Sequence, residues 1–255
     1  MSDDNQGTQI NDTHIMSTRH ANKMKTLISE VEYKSDSLHS YLAKNKVRIL
    51  NAFERLAAVF RKAKECRVAY DKIRSWHYDV NLLIARTQLD LLQQLRVEKQ
   101  AGVKLDNSVV LNRPESYKIT YEVSHPLGLS ITQLIKEVDT EIDEIESLYM
   151  RGAIDDIEYT HACKQASVIL SGVVDRINKV TARGKRGDIS FSPRYYLTLL
   201  QDPNFKLLAH CGVPMAIAEL ILDDTQMAIV RTHHKRPRAG DDTQTASEAL
   251  RENAE

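Results

Sequence analysis

Between Thr8 and Ala101 the chain contains neither glycine nor proline. Those two residues most readily interrupt a helix, so their absence over this length commits the first part of the molecule to long helices. Ser17 is placed to cap a helix running to about Tyr41, with Met24, Leu27, Ile28 and Val31 on one stripe. Asn45 is placed to cap the next. There Ile49, Phe53, Leu56, Phe60 and Ala63 recur at alternating four- and three-residue steps, the spacing of a helix buried along its length. The apolar run continues through Tyr70, Ile73, Trp76, Val80, Leu83, Ile84, Leu91 and Leu95. As one helix of ~50 residues it would span ~75 Å. A break near Arg74-Ser75 would make it two, and both remain open for residues 46–101.

Gly102 ends this region. Val109, Val110 and Leu111 follow, then Tyr117, Ile119, Tyr121 and Val123 alternate with Ser116, Lys118, Thr120 and Glu122. Period-2 alternation predicts a short strand or hairpin near 109–123. Ser130 with Gln133 suggests a capping box for a helix ending at Gly152, and Asp155 with Glu158 suggests a second, opening a helix to about Ala182. The two form a helical hairpin. Residues 1–15 and 232–255 are polar and read as disordered ends.

Charge is balanced, with 35 basic and 35 acidic residues, which argues against a nonspecific polyanion binder. It is unevenly spread, however. Glu137, Asp139, Glu141, Asp143, Glu144 and Glu146 crowd one helix, where they predict a solvated face. Arg176, Lys179, Arg183, Lys185, Arg186 and Arg194 make a basic run. Cys66, Cys163 and Cys211 are too scattered for a disulfide framework and predict reduced thiols in the cytoplasm. No signal peptide or membrane-length apolar run is legible. No nucleophile, zinc or phosphate-loop motif is present, so an enzyme is not expected, nor a cofactor or metal. His77, His125, His161 and His210 are scattered and read as structural or surface side chains.

Residues 184–231 carry the functional signal. Ile189 and Phe191 alternate with Asp188 and Ser190, as in a strand with one buried face. Ser192-Pro193 opens a helix, Asp202-Pro203 interrupts it, Gly212 stops it, and Val213-Pro214 opens another containing Ile217, Leu220 and Ile221. This order resembles a ribbon-helix-helix DNA-binding module, in which two chains pair their strands and the ribbon enters the major groove. The resemblance implies base contacts from Arg186, Asp188 and Ser190. It implies phosphate contacts from Arg183, Lys185 and Arg194, and near Val213, Met215 and Ala216 at a helix start. A strand at 116–123 followed by a helix hairpin is a rival ribbon, set against by the acidic helix after it.

Taken whole, the chain resembles the AcaB-like family encoded on conjugative plasmids and integrating conjugative elements. The residues concerned are Thr18-Arg19-His20-Ala21, the long helical half, Val123-Ser124-His125-Pro126, and Asp139 to Gly152 with the helix to Arg183. The resemblance implies a cytoplasmic regulator, an activator of transfer genes, bound to double-stranded promoter DNA. The expected fold is mainly α: a helical domain over 16–183 with one short strand or hairpin, then the ribbon-helix-helix-like module. The expected assembly is a homodimer or dimer of dimers, with RNA polymerase as a further partner. The competing expectation is a helical scaffold of a transfer apparatus that does not touch DNA.

Overall fold

The computed structural model describes residues 25–101, 115–181 and 192–234. It is mainly helical, with one two-stranded antiparallel sheet among the described residues. The elements run β1 (Leu27–Tyr33), α1 (Asp36–Ala63), α2 (Arg67–Ser75), a π-helical segment (Trp76–Asn81), α3 (Leu82–Ala101), β2 (Tyr117–Val123), α4 (Leu127–Met150), α5 (Asp156–Thr181), α6 (Pro193–Gln201), α7 (Leu207–Cys211), α8 (Met215–Ile221) and α9 (Asp224–His234). Two compact units result: Met1–Ala57 with Leu89–Ser171, and Ala58–Gln88 with Gly172–Glu255.

The first unit is built on the ribbon. β1 pairs with β2 from Leu27 opposite Val123 to Tyr33 opposite Tyr117. Val31, Tyr33, Ile119, Tyr121 and Val123 share the inner face and are buried, and α4 lies against β1. From Lys25, where the described residues begin, the helix expected from Ser17 to Tyr41 is therefore corrected to a strand and the start of α1. Ile28 shows why: it belongs to the helical stripe but is 66% exposed. Val31 and Tyr33, spaced by Glu30 and Glu32, obey the strand period instead. The alternation at 117–123 is a strand as expected, but its partner is β1, far back in sequence. Val109, Val110 and Leu111 lie outside the described residues.

Asn45 starts no helix; it sits inside α1, where its amide donates to the Tyr41 carbonyl. The long helical run is broken at residues 64–66, between α1 and α2, and it changes character next to Arg74-Ser75, where α2 ends and the π-helical segment begins. Ser130 and Gln133 form no capping box, because α4 begins earlier, at Leu127; Ser130 Oγ donates to the Leu127 carbonyl and Gln133 to Glu137. Asp155 and Glu158 do form one: each backbone N–H meets the other's carboxylate, at 3.3 and 2.8 Å. Gly152 closes α4 with φ +69°, the left-handed region glycine reaches without strain.

In the second unit α2 lies against α6, and α7 against α9 and the π-helical segment. Ser192 caps α6, its hydroxyl accepting from Tyr195 N–H, with Pro193 in the first turn. Gly212 ends α7 with φ +72°. The interruption at Asp202-Pro203 is real, and a further one at Leu222-Asp223 makes four short helices where two were expected. Lys72 holds the end of α6, donating to the carbonyls of Leu200 and Asp202 at 3.3 and 2.8 Å. No helix among the described residues is long and apolar enough to cross a membrane.

Candidate nucleic-acid interface

Two places are in question: the ribbon of the first unit, and the start of α6, which the basic run precedes in the sequence.

The ribbon is closed within one chain. Each strand leads into a helix, β1 into α1 and β2 into α4, and each junction is held by the other half. Asp139 of α4 accepts from Lys34 N–H at 3.0 Å to each oxygen and from Ser35 N–H at 2.9 Å. One turn pair further along α4, Glu146 accepts from the Ser35 hydroxyl and from the N–H groups of Asp36 and Ser37. Ser35 Oγ accepts from Leu38 N–H. The orphan donors at the start of α1 are thereby satisfied from across the ribbon. In return Glu54 of α1 accepts from the backbone N–H and hydroxyl of Ser124, at 3.1 and 2.6 Å, where β2 ends. The arrangement follows the local two-fold of an antiparallel pair.

These contacts correct the expected solvated face on α4. Asp139 and Glu141 are buried, Glu141 in an ion pair with Arg96 at 2.6 Å. Burial raises the Asp139 pKa, against the N–H groups of Ser35 and Lys34, which lower it. The acidic sequence of α4 is thus in part internal structure. Among the described residues, no cluster of metal-ligating side chains forms.

The ribbon's outer face presents Ile28, Glu30 and Glu32 beside Lys118, Thr120 and Glu122. Lys118 pairs with Glu32 at 2.8 Å and reaches Glu30 at 3.6 Å. Three carboxylates against one ammonium make a poor match to phosphate. Geometrically it is a ribbon followed by helices; electrostatically it does not suit a DNA groove.

Arg183, Lys185, Arg186, Asp188 and Ser190 lie outside the described residues. Arg194 stands exposed in the first turn of α6, immediately after the Ser192 cap. Val213 is buried, Met215 half-buried and Ala216 exposed, the last two opening α8, whose Ile217 and Ala218 N–H groups both donate to the Pro214 carbonyl. The geometry the sequence pattern did not announce is β1 and its junction; the signal available was Glu30-Val31-Glu32-Tyr33.

A solved structure, selenomethionine-containing AcaB from uropathogenic E. coli, is similar over 83% of this chain and 98% of its own, with 16% sequence identity and a TM-score of 0.48. No protein-family model matches the chain, and no curated protein matches it.

Proposed function

We propose that the chain is a non-enzymatic, sequence-specific DNA-binding regulator of conjugative-transfer genes, an activator acting as a homodimer or dimer of dimers. The basic segment into α6 is its DNA surface, in the manner of a ribbon-helix-helix module. The observation that carries this reading is Arg194. A cation in the first turn of a helix opposes the macrodipole and weakens the helix. The same placement adds to the positive field at that end, which favours a bound phosphate. Arg183, Lys185 and Arg186 lie eight to eleven residues before it in the chain. RNA polymerase is the further partner this role requires of an activator.

The test is binding to the element's own promoter fragments across a salt series. Log K is expected to fall by roughly 0.9 per phosphate neutralised. Arg186→Ala should cost about 1–3 kcal/mol on the specific site and relax base preference. Lys185→Ala should weaken all sequences alike, and less. Salt-independent binding, or Arg186→Ala indistinguishable from wild type on specific and scrambled duplexes, would remove this surface. Light scattering showing a monomer at micromolar concentration would remove the ribbon formed between chains. The scaffold reading is favoured by one feature, the acidic outer face of the β1–β2 ribbon, and it gains if no duplex binds.

A further inference from the structure

The second unit has an open pocket of about 180 Å³ between the end of α5, α7, the turn at Gly212 and α9. Leu208, Ala209, Val213 and Val230 give it apolar walls, and the polar side chains lining it among the described residues are Lys179 and His210. His210 is fixed by stacking on Phe205, with ring centroids 5.4 Å apart. Lys179 lies directly over Gly212: a Cβ on that glycine would stand 2.7 Å from the ammonium nitrogen. The glycine therefore both makes the left-handed turn and leaves room for the cation. Among the described residues, no carboxylate lines the pocket. Lys179 and Arg176, three residues apart on α5, both favour the thiolate of Cys211, although burial holds that thiol up.

We infer that this pocket is a binding site for a small monocarboxylate with a short aliphatic tail. The carboxylate would meet the Lys179 ammonium at the rim and the His210 ring, and the tail would replace water against Leu208, Val213 and Val230. The space suits a ligand of roughly five to eight non-hydrogen atoms. An inorganic phosphate is the poorer fit. It would be anchored at one end only, and the apolar walls would gain nothing.

Sodium butyrate and sodium phosphate, titrated separately into the full chain at constant ionic strength, test this by calorimetry and thermal melting. Butyrate should bind saturably with Kd of about 0.1–1 mM, as few atoms permit, and raise the melting temperature accordingly. Lys179→Gln should weaken butyrate at least about tenfold, since a charge-assisted bond is lost. Ala209→Leu keeps both polar groups but fills the space, and should abolish binding. Saturable butyrate binding unchanged in both variants would place the ligand elsewhere and overturn the site. So would no saturation by butyrate, or phosphate binding as tightly as butyrate. Lys179 is exposed, so its variant is expected to fold; if it does not, Ala209→Leu decides alone.

Discussion

Asp139 in the ribbon unit and His77 in the C-terminal unit are both buried titratable side chains, and burial pushes both toward their neutral forms. They are treated differently by their surroundings. Asp139 faces three hydrogen bonds from the backbone N–H groups of Lys34 and Ser35, which favour the carboxylate. For His77 desolvation dominates. It lies on the π-helical segment against the rings of Phe60 and Tyr78, with its Nδ1 3.5 Å from the Asn81 amide. Its pKa is pushed down to about 3 by desolvation. A buried charge is retained where it satisfies backbone donors that a chain reversal leaves unpaired; elsewhere a titratable ring becomes an ordinary core aromatic. Nearby Arg176, 3% exposed, is an intermediate case: its guanidinium donates to the Asn81 side chain and carbonyl at 2.7 and 3.2 Å, and burial lowers its pKa to about 10.

The largest effect expected from this contrast is in acid. The folded pKa of His77 lies below its unfolded value near 6.5, so its contribution is complete above that pH and is lost as pH falls toward about 3. The full loss is about 5 kcal/mol. Urea midpoints measured from pH 7 to 4 should fall more steeply for wild type than for His77→Leu. Parallel curves would show that the ring is charged, or solvated, in the folded state.

Asp139→Ala comes next, at about 3 kcal/mol, because it strands the buried Ser35 N–H and one neighbour. A loss below about 1 kcal/mol would mean that water replaces the carboxylate at no cost, and the junction would not be a clamp. The pH sign is opposite to that of His77. Asp139 is raised, so its contribution is present below the ordinary carboxylate range and lost as pH rises through the raised value. Asp139→Asn should therefore gain on wild type as pH rises through that window.

Gly172→Ala should cost about 1–2 kcal/mol. The new Cβ would stand 2.9 Å from Arg176 Nη1, and the guanidinium can retreat only by giving up Asn81. If Arg176→Met removes the penalty, the clash is its cause; if the penalty persists, helix propensity and packing elsewhere govern that site. The smallest change is Glu54→Gln, about 1 kcal/mol, since an amide oxygen still accepts one of the two Ser124 bonds. A cost equal to that of Asp139→Ala would mean the two junctions are equivalent after all.

How far these features could be read in advance follows from the range of the forces involved. Local chemistry was legible: Asp155 with Glu158, the Ser192-Pro193 helix start, and the glycine turns at Gly152 and Gly212 each depend on a few adjacent residues. The helical character of most of the chain was legible for the same reason. β1 was not, because a seven-residue strand is decided by its pairing with β2, and the apolar residues Leu27, Ile28 and Val31 also fit a helix. The acidic run on α4 was misread because its partners, the N–H groups of α1, are about a hundred residues away and carry no side-chain signature. The break between α1 and α2 occurs at Lys64-Glu65-Cys66, without glycine or proline to announce it. Of the expected DNA contacts, those from Arg183 to Ser190 lie outside the described residues, and only Arg194 and the start of α8 could be located.

Closing the ribbon within one chain has a consequence for how the molecule comes into being. Ser35 is tied to a residue 104 positions later. At translation rates of about 5–20 residues per second, β1 waits for roughly 5–20 s after synthesis before Asp139 exists to receive it. During that interval its Val31-Tyr33 face has no cover, and the start of α1 has no cap from α4. A nascent chain of this protein should thus depend on chaperone cover or ribosome proximity until α4 emerges. Once it does, pairing is intramolecular, and its rate is independent of how many copies the cell is making.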